Sequence, residues 1–359
     1  MELPLSTLIF SPSSTHFAMM DEQRRAIGRF LELCGFGPDE CTYRVVLEGR
    51  HWRLRKYASI DCDAAVLIVP APIKRPYVWD LWPSASAVRE CLDRGYEVYL
   101  VEWTPASDDC PPLGILDYAG EAVSRCVAKV RERTLDDPSL FGHSLGGTFA
   151  VIYCALEGKV RSLVLLSAPL CFEVGSSRFR DSLVTLFPQV MSESGTAPGS
   201  FLSQVSAMAC PQAFVWDKLA DAALCAFDPA SLEIEGRVER WMLDESPLPA
   251  KLVAEIVQLL YREDRFCRGA LEIGGQTVGP KSVEIPTLAV VNAADDVAPL
   301  GCVAPFLNAM VSAERRIIEY PGERGVGLQH LALLAGPKAH AQIWPQILGW
   351  LDAQHESVE

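Results

Sequence analysis

The sequence has no run of about 18 apolar residues, so it offers no candidate for a transmembrane helix. Its start lacks a basic stretch followed by an apolar segment, so no secretory leader is expected and the cytoplasm is the expected compartment. Basic residues are in deficit: 32 Lys and Arg stand against 46 Asp and Glu, giving a formal charge of −14 and a pI near 5.0. A surface of that sign attracts neither nucleic acid nor an anionic membrane. Of the 12 cysteines, none forms a Cys-x-x-Cys pair or a Cys/His grouping at metal-ligand spacing. They are expected to be reduced, mostly buried small hydrophobes, and no metal or other cofactor is expected. Internal repeats and low-complexity tracts are also missing.

What is present is a chain of 359 residues with 49% apolar content, enough for a large core and long for one simple domain. The stretch that organises it is Phe141-Gly142-His143-Ser144-Leu145-Gly146-Gly147, followed by the apolar run Thr148 to Leu156. Glycines two before and two after a serine let a strand turn sharply into a helix and hold the hydroxyl on a strained corner above the sheet edge. The backbone N–H of Leu145, at the helix N-terminus, is placed to meet the oxygen of an acyl group that Ser144 attacks.

Around this corner the pattern alternates strands and helices. Residues 1 to 18 read as turn-rich, and Asp21 to Cys34 as a packing helix with Ile27, Phe30, Leu31 and Leu33 on one side. Tyr43 to Leu47 and His51 to Tyr57 form a hairpin, with His51 and Trp52 as surface or sheet residues. Ala64 to Val69, Tyr96 to Glu102, Val160 to Ser167, Thr287 to Val291 and Arg315 to Glu319 read as strands. Ser84 to Arg94, closed by Gly95, and Asp117 to Arg133 read as helices, and Pro337 to Leu351 as a last helix kinked at Pro345. Residues 172 to 283 break the alternation, with helical stretches at 240–242 and 251–262 and a hairpin within 269–283. The expected division is 1–171 as N-terminal helix, hairpin and first part of the core, 172–283 as an inserted lid, and 284–359 as the rest of the core.

A serine hydroxyl needs an imidazole to take its proton, and the imidazole needs a carboxylate to fix its tautomer. In an α/β-hydrolase fold, a mostly parallel central sheet with helices on both faces, these residues follow the order nucleophile, acid, histidine. Ser144, Asp295 and His330 satisfy that order. Asp295 is preferred, with Asp296 as the fallback, because the following Val297-Ala298-Pro299 resembles the turn after the acid in many members of that fold. Glycines 322, 325 and 327 let the loop before His330 bend to the sheet edge. His143 is expected to line the pocket. A second oxyanion donor is expected from the loop after Val69, where Pro70 and Pro72 have no N–H; Ile73 is the first choice and Ala71 the second.

From about residue 43 to 351 the chain resembles the polyhydroxyalkanoate synthases, particularly the short type that works with a second subunit. The resemblance is carried by Pro72-Ile73-Lys74-Arg75-Pro76-Tyr77-Val78-Trp79-Asp80-Leu81, Gly95 to Leu100, Trp103 with Pro105, the serine corner, Glu239-Arg240-Trp241 and Gly269 to Gly275. That family's nucleophile is a cysteine, where this chain has Ser144. Its aspartate before the tryptophan is Glu102 here, its histidine after the acid is Asp296, and the glycine before its catalytic histidine is Gln329. The resemblance implies acyl transfer from an acyl-CoA or acyl carrier protein thioester through an acyl-serine. It also implies a homo-oligomer or a second subunit. A serine ester relies on its histidine to activate the incoming hydroxyl, which favours hydrolysis or single transfer over chain growth. The alternatives are a carboxylesterase or polyester depolymerase and, from a different class, a noncatalytic partner subunit of a synthase or carrier protein.

Overall fold

The computed structural model describes residues 14–57, 62, 64–105, 111–134, 136–187, 195–312 and 314–356. Helix α1 (Ser14–Leu31) leads into the strands β1 (Tyr43–Glu48), β2 (Trp52–Tyr57) and β3 (Ala65–Val69). Then follow α2 (Ala87–Asp93), β4 (Glu97–Trp103), α3 (Val123–Thr134), β5 (Ser139–His143), α4 (Leu145–Leu156) and β6 (Leu163–Leu166). The strands assemble one 8-stranded sheet in the order β1-β2-β4-β3-β5-β6-β7-β8, completed by β7 (Thr287–Asn292) and β8 (Arg315–Tyr320). From β4 to β8 every pairing is parallel, and β2 is antiparallel to both its neighbours. The parallel strands β3, β4, β5 and β6 are buried along their whole length, which is why they read as continuous apolar runs: helices cover both faces.

Between β6 and β7 the chain passes through α5 (Arg178–Leu186), α6 (Gly199–Ala209), α7 (Asp217–Cys225), α8 (Pro229–Met242) and α9 (Ala250–Glu255), then a small hairpin of Leu271–Ile273 with Gln276–Val278. Since β6 and β7 are neighbours, paired from Leu163 with Thr287 to Leu166 with Val290, this long excursion leaves and rejoins the sheet at adjacent positions. After β7 come α10 (Ala304–Ala309), β8, α11 (Ala332–Ala335), α12 (Pro337–Gln342) and α13 (Trp344–Glu356).

Several expectations are corrected. The expected turn-rich segment 1–18 lies outside the described residues up to 13 and is helical from Ser14. Ile27 and Phe30 on α1 and Leu33 just after it are 52%, 63% and 88% exposed; the helix instead packs through Phe17, Arg24 and Gly28, the last against the Arg240 guanidinium. Arg24 binds the carboxylate of Glu245 and the carbonyl of Met242, so a polar contact rather than the apolar stripe orients the helix. Trp52 is a sheet residue, the first of β2, while His51, also buried, lies just before the strand against the rings of Trp103 and Tyr118. The last helix is two helices parted at Ile343, with Pro345 in the first turn of α13, where its missing N–H costs nothing. Finally, Cys171 and Cys267 are joined in a disulfide with their Cα atoms 5.1 Å apart, whereas all cysteines were expected to be reduced. The Phe172 N–H bonds the Asp264 carboxylate at 2.7 Å, which brings the two segments together. Cys110 lies outside the described residues, and the other described cysteines are free.

Candidate active site

The corner between β5 and α4 is built by close approach of main chain to main chain. Ser144 sits at φ 53°, ψ −134°, a conformation that costs an L-residue roughly 1–3 kcal/mol and persists only where the surroundings over-determine it. The surroundings do so here. A Cβ on Gly146 would lie 2.1 Å from the Val69 carbonyl oxygen and 2.7 Å from the Ala71 nitrogen, and one on Gly142 would lie 2.4 Å from the Gly147 Cα. The Ser144 N–H bonds the Leu166 carbonyl at 3.1 Å, and the Thr148 hydroxyl bonds the Pro169 carbonyl at 2.7 Å, fixing the corner to the neighbouring strand end.

The structure brings Ser144, Asp295 and His330 together. His330 Nε2 is 2.8 Å from Ser144 Oγ, and His330 Nδ1 is 2.7 Å from Asp295 Oδ2. An ionised carboxylate only accepts, so Nδ1 carries the proton and Nε2 faces the hydroxyl as an acceptor. Asp295 is 2% exposed and its other oxygen accepts the Val297 N–H at 2.8 Å, whereas Asp296 is only half-buried and makes no bond to His330. Burial alone would raise the Asp295 carboxyl. His330 beside it and the N–H groups of Val297 and Ala298 outweigh that and hold it below the ordinary carboxylate range.

His143 lines the cavity beside Ser144, as expected, and does more. Its Nε2 lies 2.8 Å from the His330 carbonyl oxygen, with the two rings 4.8 Å apart. Burial, reinforced by His330, brings its pKa down to about 3, so it is a neutral donor.

The loop after β3 closes the other side. The Trp103 indole N–H bonds the Pro70 carbonyl at 2.7 Å, the Trp241 indole N–H bonds the Arg75 carbonyl at 2.7 Å, and the Ser246 N–H bonds the Ile73 carbonyl at 3.1 Å. Lys74 donates to Glu245 and Ser203, and burial brings its pKa down to about 8 despite the Glu245 charge. Ala71, Ile73, Ser144 and Leu145 line one cavity, and among the described residues neither the Ala71 nor the Ile73 N–H is taken by a backbone carbonyl. Leu145 is the first residue of α4, where the N–H has no partner within the helix.

That cavity has a volume of about 560 Å³. Ser144 and His330 line it, together with the apolar Phe179, Leu202 and Val257 and with Tyr261 from the excursion between β6 and β7. Among the described residues, Asp221, Cys225 and Glu235 offer ligand atoms within 4.8 Å of one another, but both Asp221 oxygens already accept backbone N–H groups.

Sequence reasoning missed the supports of His330. The Gln329 side chain donates to the Glu323 carbonyl at 2.5 Å, while Asn292 Nδ2 donates to the Gln329 carbonyl at 2.7 Å. Buried Glu323 accepts the Tyr320 hydroxyl at 2.7 Å and the N–H groups of Lys338 and Ala339. No local pattern announces these bonds, since each joins residues that become neighbours only when the loop after β8 folds back.

Known proteins share these features to different extents. A family profile described as alpha/beta hydrolase fold matches residues 65–219. The poly(3-hydroxyalkanoate) polymerase subunit PhaC of Haloarcula marismortui is 29% identical over 299 residues, covering 80% of this chain and 60% of that protein. The subunit of the same name from Allochromatium vinosum is 26% identical over 295 residues, covering 80% of each. The chain thus spans less than two thirds of the length of the archaeal relative. Among solved structures, the monoacylglycerol lipase of Paleococcus ferrophilus is 15% identical with a TM-score of 0.52, over 84% of this chain and 99% of that one, a likeness of fold alone. None of the helices is long and apolar enough to cross a membrane among the described residues. Sheet order, serine corner and sequence likeness agree: the chain has the α/β-hydrolase fold, with serine at the corner, and is similar in sequence to poly(3-hydroxyalkanoate) polymerase subunits.

Proposed function

We propose that the chain is a serine-nucleophile acyl-transfer enzyme acting on an acyl thioester carried by coenzyme A or a carrier protein, as an acyltransferase or thioesterase. The observation that carries the reading is the unbroken line from Asp295 through His330 to Ser144, 2.7 Å and 2.8 Å per link, with Ser144 and His330 lining a largely apolar cavity. His330 Nε2 takes the Ser144 proton as Oγ bonds to the thioester carbonyl carbon, and the carbonyl oxygen becomes an oxyanion. The N–H groups of Leu145 and Ile73 are proposed to meet it, Ala71 being the alternative to Ile73. Collapse breaks the carbon–sulfur bond, and the imidazolium returns its proton to the leaving thiolate. Water or an alcohol then gives a proton to His330, attacks the acyl-serine and releases product with the Ser144 hydroxyl restored. The excursion from 172 to 283 is proposed as the lid over this site.

The synthase-like frame, including the Ile73-Lys74-Arg75 loop and the indoles of Trp103 and Trp241 that hold it, supports the thioester over a plain carboxylic ester. An esterase or polyester depolymerase is the nearer rival; a noncatalytic partner subunit would have no use for the aligned Ser144 hydroxyl. Intact-mass spectrometry after incubation with 3-hydroxyacyl-CoA, run beside fluorophosphonate labelling, tests the reading. The expected result is an acyl adduct or released thiol, and a phosphonylated protein, both lost in Ser144→Ala. Labelling without any thioester turnover would select the esterase; no labelling of the folded parent would select the noncatalytic subunit.

A further inference from the structure

His330 is delivered by the segment between Tyr320 and Gln329, which has Gly322, Gly325 and Gly327 at φ +83°, +79° and +67°. A chain with repeated positive φ cannot place its N–H groups in a helix or sheet ladder, and successive N–H groups in such a bend converge on one point as an anion cradle. The point is occupied by a carboxylate. Asp221 of α7 accepts the Gly325 N–H at both oxygens (2.9 and 2.8 Å), the Val326 N–H at 3.1 Å and the Gly327 N–H at 3.3 Å. Helix α8 presses on the same bend: a Cβ on Gly325 would lie 2.5 Å from the Ser231 hydroxyl, and one on Gly327 would lie 3.3 Å from Val238.

The segment therefore has two anchors of different origin. Gln329, Glu323 and Asn292 tie its far end to the strands β7 and β8 of the sheet. Asp221 ties its middle to the excursion between β6 and β7, more than 100 residues earlier in the chain. We infer that Asp221 is a positioning residue for His330: its carboxylate, held in the cradle of Gly325, Val326 and Gly327, sets the loop so that the imidazole reaches Ser144. Hydrogen bonds from N–H to an ionised acceptor are about twice as strong as neutral ones, and with three donors converging the loop has one low-energy shape. His330 stands three residues beyond the last of them, and a rotation of α7 is transmitted to the distance between Nε2 and Ser144 Oγ.

The inference rests on Ser144 and His330 being the reacting pair. The test measures fluorophosphonate labelling of Ser144 and turnover of a p-nitrophenyl ester in the parent, Asp221→Asn and Asp221→Ala, each checked for folding by circular dichroism. Asp221→Ala should lower both rates roughly 10- to 100-fold with KM near the parent's, as expected when a catalytic group is displaced by about 1 Å. Asp221→Asn, nearly isosteric and weaker as an acceptor, should fall between. The emptied cradle should bind a small carboxylate, so sodium formate should restore part of the Asp221→Ala rate and leave the parent unchanged. Parent-like rates in Asp221→Asn and Asp221→Ala would overturn the inference, as would a loss that formate does not restore and that appears in KM rather than kcat. Should Asp221→Ala not fold, the Asp221→Asn rates decide alone. A parent that never labels would instead overturn the reading of the site itself.

Discussion

The His143 ring donates from Nε2 to the main-chain carbonyl of His330 at 2.8 Å, so the residue before Ser144 holds the backbone of the histidine whose ring faces the Ser144 hydroxyl. The carbonyl can only accept, which places the proton on Nε2, and a charged His143 would lie beside the His330 ring. Burial, with His330 pressing the same way, keeps His143 neutral down to about pH 3.

The first prediction follows from that pKa. His143 titrates near 6.5 when unfolded and near 3 when folded, so between those values the unfolded chain binds a proton that the native one refuses. Native stability therefore falls as pH drops from about 6.5 toward 3. His143→Phe should remove up to about 1.4 kcal/mol per pH unit from the slope of stability against pH in that window. It should also lower turnover, because the His330 carbonyl loses its donor. Urea unfolding at pH 7.5, 6 and 5 measures the slope; a variant whose slope equals the parent's would contradict the assignment.

The second concerns the acid. Asp295→Asn should reduce turnover by about 10⁴-fold, since the amide favours the wrong His330 tautomer, while Asp296→Asn should stay within about tenfold of the parent. Steady-state rates on one substrate decide, and a reversed ranking would move the acid by one residue.

The third concerns the corner. Gly146→Ala places a methyl 2.1 Å from the Val69 carbonyl and against the Ala71 nitrogen, main-chain atoms with no rotamer to change. A loss of about 1–3 kcal/mol in thermal or urea unfolding is expected, together with slower phosphonylation of Ser144. An unchanged melting temperature would show that the loop after β3 yields more easily than its ties to Trp103 and Ser246 imply.

The fourth uses a position where the chain departs from the synthases it resembles. Gln329→Gly removes the side chain that brackets Glu323 while leaving the backbone contact from Asn292. Turnover should fall roughly tenfold with little change in melting temperature, because the bond lost lies next to His330 and the rest of the core is untouched. Activity equal to the parent's would leave His330 placement to Asn292, His143 and Asp221.

How much of this was legible in the sequence depended on whether the signal was local. The strands β3, β4, β6 and β7 announce themselves as largely apolar runs because both faces of the sheet are covered there, and the glycines around Ser144 and before His330 mark the bends they form. Helix α1 misled because its apolar residues do share a side, but Arg24 and Gly28 meet Glu245 and Arg240, which lie more than 200 residues away and have no local echo. Cys171 with Cys267 and Asp221 with Gly325 are of the same kind: each partner looks ordinary until the fold sets it beside the other. His51, placed by its hairpin at a strand end, is buried by aromatic rings that arrive from β4 and the segment leading into α3.

The corner at Ser144 is held by the absence of side chains on its neighbours and not by anything the serine does for itself. Its backbone shape depends on Gly142, Gly146 and Gly147 fitting against Val69, Ala71 and Ala168. None of these glycine contacts involves the Ser144 hydroxyl. The main-chain fit of the corner therefore does not by itself choose between a hydroxyl and a thiol at position 144. What such an exchange does alter is the partnership with His330, since a thiol sheds its proton far more readily than a hydroxyl does. A Ser144→Cys protein would keep the fold of the parent and inherit a base aligned for a harder task than the new nucleophile sets it.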